Sequence, residues 1–182
     1  MKTIMKLHEE TVDSQVIYDG RIIKVRKDAV KLCNGKITSR EVVEHPGGVC
    51  IAAIDDEKNI YVVDQFRYPM GAVVTELPAG KLEWGEDPDS AAVRELCEET
   101  GCTAKTMRKM GVTYPSPGYC GEVLHLYVAT GLMHGQQSLD EDEFLTCRKF
   151  PLSQAVEMVM SNEIKDSKSQ ILIMMAKSIL EA

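Results

Sequence analysis

The chain has 182 residues, 44% hydrophobic and 27% charged, with 28 acidic against 21 basic side chains and a net charge of −7. That length suits one core, and the balance excludes a disordered polyelectrolyte. The acidic excess argues against a nucleic-acid partner, whose affinity rests on basic phosphate contacts, but leaves room for a small phosphorylated ligand bridged by cations.

In chain order, residues 16–30 alternate and turn at Tyr18-Asp19-Gly20. Asn34-Gly35, between two β-like runs, is a hairpin signal. The pattern continues from Arg40 to Glu44 and breaks at His45-Pro46-Gly47-Gly48. Residues 1–45 thus read as an antiparallel sheet, too small to stand alone and expected to pack on residues 46–182 or on a second copy. Residues 49–54 and 60–63 are more apolar and read as buried strands of a central sheet. Gln65-Phe66-Arg67-Tyr68-Pro69 should lie at the edge of that core, and 73–77 should form a further strand ended by Pro78-Ala79-Gly80. A helix follows, with Asp87 as N-cap, Pro88 as first residue and Gly101 as stop. Strands are expected at 112–113 and 123–129, around the loop Pro115-Ser116-Pro117-Gly118. Beyond the acidic stretch Leu139-Asp140-Glu141-Asp142-Glu143 come a strand near 144–150 and two amphipathic helices, Leu152–Met160 and Ser167–Leu180. The order predicts an α+β protein, or a three-layer α/β/α sandwich.

Six cysteines form no C-x-x-C pair and have no histidine at finger spacing, so neither a zinc site nor a disulfide framework is supported. They read as small buried hydrophobes. The start, Met1-Lys2-Thr3-Ile4-Met5-Lys6, is too broken by charge for a signal segment, and an apolar run of about 18 residues is missing. A cytoplasmic protein with no membrane partner is expected.

The helix from Pro88 carries a local conflict. Glu95, Glu98 and Glu99 lie at i, i+3 and i+4, so like charges share one face at roughly 0.2–0.5 kcal/mol of repulsion per pair. They also sit in the last turn, where the helix dipole disfavours anions by about 0.3–1 kcal/mol. A solvated acidic face would show the same short pattern. Hard-cation binding explains both broken rules, because Mg²⁺ takes carboxylate, water and phosphate oxygens.

The wider spacing separates these readings. Gly80, five residues, Glu86, seven residues, then Arg94-Glu95-Leu96-Cys97-Glu98-Glu99-Thr100-Gly101-Cys102 is similar to the Nudix box, G-x5-E-x7-R-E-U-x-E-E-x-G-U. All seven fixed positions match, Leu96 fits the first bulky aliphatic site U, and Cys102 departs at the second. The chain also resembles the ADP-ribose pyrophosphatase branch from Tyr18 onward. The landmarks are residues 40–47, Gln65-Phe66-Arg67-Tyr68-Pro69, Glu76-Leu77-Pro78-Ala79-Gly80 and Ser116-Pro117-Gly118.

The resemblance implies a Nudix fold with a mixed central sheet and Mg²⁺-dependent cleavage of ADP-ribose to AMP and ribose 5-phosphate, with Mn²⁺ a possible substitute. It implies Glu95 and Glu99 as principal metal ligands, helped by Glu98, the Ala79 carbonyl and Glu143. Glu141 would be the general base, although neighbouring acids of that stretch can exchange roles and a solvated turn has the same composition. Arg94 would orient the helix carboxylates, with Glu86 supporting the edge of the site. Substrate contacts would come from Arg67, Glu76, Glu122 and Arg40, the last across a homodimer interface made by the N-terminal strands. Arg67 pairing with an acid, or stacking beside Tyr68, is the plainer alternative. Another nucleoside diphosphate sugar, a dinucleotide, or a sensor without turnover are the competing functions.

Overall fold

Turn chemistry and alternation set the N-terminal strands in the computed structural model, which describes residues 7–139 and 143–180. Strands β1 (Glu10–Asp19), β2 (Lys24–Lys31) and β3 (Ile37–Glu44) form an antiparallel sheet in that order. Between β2 and β3, Gly35 takes φ +84° and the Asn34 side chain accepts from the Lys36 N–H at 3.0 Å, which fixes the reversal. Residues up to Pro46 form one compact unit together with Tyr114–Glu122. Within it, the Val43 N–H donates to Tyr119 O at 2.8 Å and the Gly121 N–H to Val43 O at 2.9 Å. Every residue of β1 is exposed, including Val12, Val16, Ile17 and Tyr18.

The second unit comprises Gly47–Thr113 and the chain from Val123 onward. Its central strand, β4 (Gly48–Ala53), is buried at every residue. It pairs antiparallel with β7 (Ala79–Lys81) and parallel with β9 (Leu124–His134), and β8 (Cys102–Thr113) completes the mixed sheet β7-β4-β9-β8. A second, antiparallel sheet has the order β10-β5-β6, from β5 (Asn59–Arg67), β6 (Ala72–Glu76) and β10 (Leu145–Pro151).

Strand periodicity divides the core in two. Val49, Ile51 and Ala53 join Tyr61, Leu82 and Tyr127 against Ala91, Ala92 and Leu96 of α1 (Pro88–Thr100). The alternate residues Cys50, Ala52 and Ile54 join Ile60, Val62 and Leu77 against α2 (Leu152–Met160) and α3 (Ser167–Leu180). Helices therefore cover both faces, as an α/β/α sandwich requires. Among the described residues, no helix is long and apolar enough to cross a membrane.

Residues 65–69 leave the core as expected, 65–67 ending β5 with Phe66 and Tyr68 exposed. Two sequence expectations change. Strand β8 runs for 12 residues where only 112–113 read as strand. It lies at the edge of its sheet with Lys105, Arg108 and Lys109 along it, so the apolar alternation is weak, and Gly111 at φ +139° breaks the register. All six cysteines are free, and Cys50 and Cys102 are buried, but Cys33 is exposed at the β2–β3 turn.

Candidate active site

Local chemistry places the box helix. The Asp87 side chain accepts from the Ser90 N–H at 3.0 Å, Pro88 starts α1, and Gly101 closes it at φ +69° with its N–H donating to Cys97 O. The buried stripe of α1 is Ala91, Ala92, Glu95, Leu96 and Glu99. Helical period thus carries two carboxylates onto the face that packs against the sheet. Glu99 is 1% exposed and Glu95 7%.

The strand before the helix meets these groups. The Ala79 N–H donates to Glu99 Oε2 at 2.8 Å. At Gly80 a Cβ would collide with the Glu95 carboxylate, so any other residue there has to push that side chain aside. Arg94 binds three acids: Nη1 donates to Glu95 Oε1 and Glu98 Oε2, both at 2.8 Å, while Nη2 donates to Glu86 Oε1 at 3.1 Å. Glu143 faces the same group, and Gln65 Nε2 donates to its Oε1 at 3.4 Å.

One arginine does not balance this charge. Burial, then the proximity of Glu143 and Glu95, pushes the Glu99 carboxyl up to about 8 against the opposing pull of the Ala79 N–H and Arg67. Burial also raises Glu95, with Glu98 and Glu143 adding repulsion that Arg94 only partly offsets. Burial alone would lower the Arg94 guanidinium, but Glu95, Glu86 and Glu98 raise it. Among the described residues, no three Asp, Glu, His or Cys side chains already converge as a closed cage, and Arg94 occupies one oxygen each of Glu95 and Glu98. The donors nonetheless fit a hard divalent ion. They are carboxylate oxygens, the hard donors such an ion takes.

A second charged group lines a cavity of about 840 Å³ between β6 and the α2–α3 connection. Glu76, 3% exposed, accepts from Arg67 Nε at 2.6 Å and Nη2 at 3.0 Å. Lys168 also donates to Glu76 Oε2 and pairs with Asp166 at 3.0 Å. Burial would raise the Glu76 carboxyl, but Arg67 and Lys168 more than offset it and hold it below the usual range. Arg67 is itself raised, chiefly by its Glu76 hydrogen bond. The plainer reading of Arg67, pairing with an acid, is therefore realised, and the acid is another of the proposed substrate contacts.

Of the expected site residues, Arg94, Glu95, Glu98, Glu99, Ala79, Glu86 and Glu143 come together, and Arg67 and Glu76 bind each other. Arg40 and Glu122 belong to the N-terminal unit, where Arg40 binds Glu9 at 2.6 Å and Glu122 lies 3.5 Å from His45 Nδ1. Glu141 lies outside the described residues. Sequence reasoning missed Lys168, which had one signal. It is a cation in the first turn of α3, where the dipole disfavours positive charge.

Comparison with known proteins agrees with this geometry. Residues 44–171 match the NUDIX domain, and residues 9–43 match the nucleoside diphosphate sugar hydrolase N-terminal domain. The chain is 42% identical to an ADP-ribose pyrophosphatase of Bacillus subtilis strain 168, over 90% of this chain and 89% of that one. It is 43% identical to a methanol dehydrogenase activator of Bacillus methanolicus, over 92% of each chain. A crystal structure of an ADP compounds hydrolase shares the fold, with a TM-score of 0.83 over 95% of this chain and 94% of the other at 19% identity.

Proposed function

The chain belongs to the Nudix hydrolase family, and on that premise we propose that it hydrolyses ADP-ribose at the pyrophosphate, giving AMP and ribose 5-phosphate. Hydrolases of this family depend on a divalent metal; Mg²⁺, with Mn²⁺ as substitute, is the ion proposed here. The observation that carries the reading is the anionic excess at the end of α1, where Glu95 and Glu99 are buried facing Glu143. A bound cation supplies neutralisation of the diphosphate and a lower pKa for an attacking water.

The chain's own residues do the remainder. Glu95, Glu98, Glu99, Glu143 and the Ala79 carbonyl are the proposed ion ligands. Arg94 fixes the rotamers of Glu95 and Glu98 through its charge-assisted bonds, a positioning duty. Glu141 is the proposed general base, contributing about 10²–10⁴-fold. Arg67, held by Glu76, presents its guanidinium to a phosphate of the substrate. Arg40 and Glu122 are further proposed contacts, and ligand binding at either exchanges its present partner, Glu9 or His45.

A homodimer through the N-terminal strands is also proposed, supported by the exposed apolar residues of β1. Elution as a monomer at micromolar concentration would refute it. The chemical test is AMP release from ADP-ribose with Mg²⁺, beside EDTA and a panel of ADP-glucose, UDP-glucose, GDP-mannose, NADH and diadenosine polyphosphates. Metal-dependent cleavage of ADP-ribose above the panel is the expected result. Preference for another member overturns the substrate, and no cleavage of any overturns the activity.

A further inference from the structure

Lys168 is anomalous on three counts. It stands in the first turn of α3, where the exposed helix N–H groups already carry positive charge. Its side chain is only 12% exposed. Its charge is spent wholly on two acids, Glu76 and Asp166. Burying an ammonium at a helix N-terminus is costly unless something depends on what it holds.

What it holds is the partner of Arg67. Glu76 Oε2 accepts from both Lys168 and Arg67 Nη2, and Glu76 Oε1 accepts from Arg67 Nε. The far side is equally fixed. Asp166 Oδ2 accepts from the Ser169 N–H at 2.9 Å and the Ser169 hydroxyl at 2.5 Å. That hydroxyl accepts in turn from the Leu77 N–H at 2.7 Å. The start of α3 therefore grips both the side chain of Glu76 and the backbone of the next residue. Two residues further on, the Ala79 N–H reaches Glu99.

We propose that Lys168 is a positioning residue for substrate binding: by anchoring Glu76 from behind, it aims the Arg67 guanidinium into the cavity at the diphosphate. This rests on the reading of Arg67 as a phosphate contact and adds the residue that orients it. Two cations on two acids leave the group neutral, so Arg67 offers directional donors on a stiff support. With Lys168 removed, Glu76 and Asp166 face each other across one missing charge, and Glu76 is free to swing with Arg67.

The test is steady-state kinetics on ADP-ribose for Lys168→Met, Lys168→Arg, Arg67→Ala, the double variant and Lys105→Met. Lys105 is an exposed lysine of β8 outside the cavity and serves as the charge-matched control. Lys168→Met should raise KM about tenfold with kcat changed less than about threefold, the signature of lost binding in ground and transition states alike. Lys168→Arg should recover most of that loss. On the Arg67→Ala background, Lys168→Met should add less than about twofold, because both act through one guanidinium. Lys105→Met should stay within about twofold of the parent.

Effects of Lys168→Met and Arg67→Ala that multiply, or an equal rise in KM for Lys105→Met, overturn the inference while leaving Arg67 a substrate contact. An unchanged KM for Arg67→Ala overturns the underlying reading and the inference with it. If Lys168→Met does not fold, Lys168→Gln, alone and with Arg67→Ala, decides the question through the same ratio.

Discussion

The C-terminal turn of α1 and the N-terminal turn of α3 break the same rule in opposite senses. Glu95, Glu98 and Glu99 put anions where the helix carries partial negative charge, and Lys168 puts a cation where it carries partial positive charge. Their outcomes differ. At α3 the charges close upon themselves, Lys168 and Arg67 against Glu76 and Asp166, and the Glu76 carboxyl lies below its usual range. At α1 a single arginine meets Glu86, Glu95 and Glu98, with Glu99 and Glu143 in addition, and Glu99 is pushed up to about 8. The cluster at α3 is balanced and the one at α1 is not, which is why the first is proposed to orient a side chain and the second to take a cation.

Substitutions should separate the two ends. Glu99→Gln removes a proposed ion ligand without changing shape, so turnover at saturating Mg²⁺ should fall by about 10²–10³-fold, on the scale of losing one electrostatic stabiliser. Its Tm in EDTA should not fall, because a buried acid becomes a neutral amide; a fall would make Glu99 a structural group. Arg94→Ala leaves three acids without their shared donor. Turnover should drop about 10–100-fold and stability by roughly 1–2 kcal/mol, discounted for the partial exposure of Arg94, read by steady-state rates and urea melts. Gly80→Ala drives a methyl into the Glu95 carboxylate and should cost about tenfold in turnover with little loss of Tm.

The balanced end should respond to acid. Glu76 has a folded pKa below its unfolded value, so its contribution is complete above the unfolded pKa, near 4.3, and is lost as pH falls through the folded one. Lys168→Met raises that folded pKa. Urea melts from pH 6 to pH 3 should therefore show a smaller acid-dependent loss for the variant, complete at a higher pH, a difference on the order of 1 kcal/mol. The smallest effect belongs to Arg40→Ala in the exposed Glu9 pair, where Tm should not move measurably.

How much of this was legible depends on the kind of signal. Helix α1 was readable to the residue because Asp87, Pro88 and Gly101 act locally. The box was readable because its glycines, arginine and glutamates stand at fixed spacing, and helical period brings the carboxylates to one face. Strand β8 was mostly hidden, since an edge strand keeps lysines and arginines and gives no apolar alternation. The Arg67–Glu76–Lys168 chain was out of reach in another way. It joins positions 92 residues apart in sequence, and only the meeting of the first turn of α3 with the end of β6 makes them neighbours. Even so, the misplaced charge at Lys168 was visible, and the reasoning that flagged Glu95, Glu98 and Glu99 applies to it unchanged.

The end of α1 is also finished from outside the helix. The Gly135 N–H donates to Gly101 O at 2.7 Å, the Ser138 N–H to Glu98 O at 3.2 Å, and Gln137 Nε2 to Glu99 O at 2.6 Å. Carbonyls that a helix terminus ordinarily leaves to water are thus taken by the stretch that follows β9. In hydrogen-exchange terms, the amides of Gly135 and Ser138 become reporters of the carboxylate turn. Their exchange should slow when a divalent ion relieves the repulsion among Glu95, Glu98 and Glu99, before any substrate is added. Occupancy of the site then has a signature in two backbone protons of a different segment, independent of turnover.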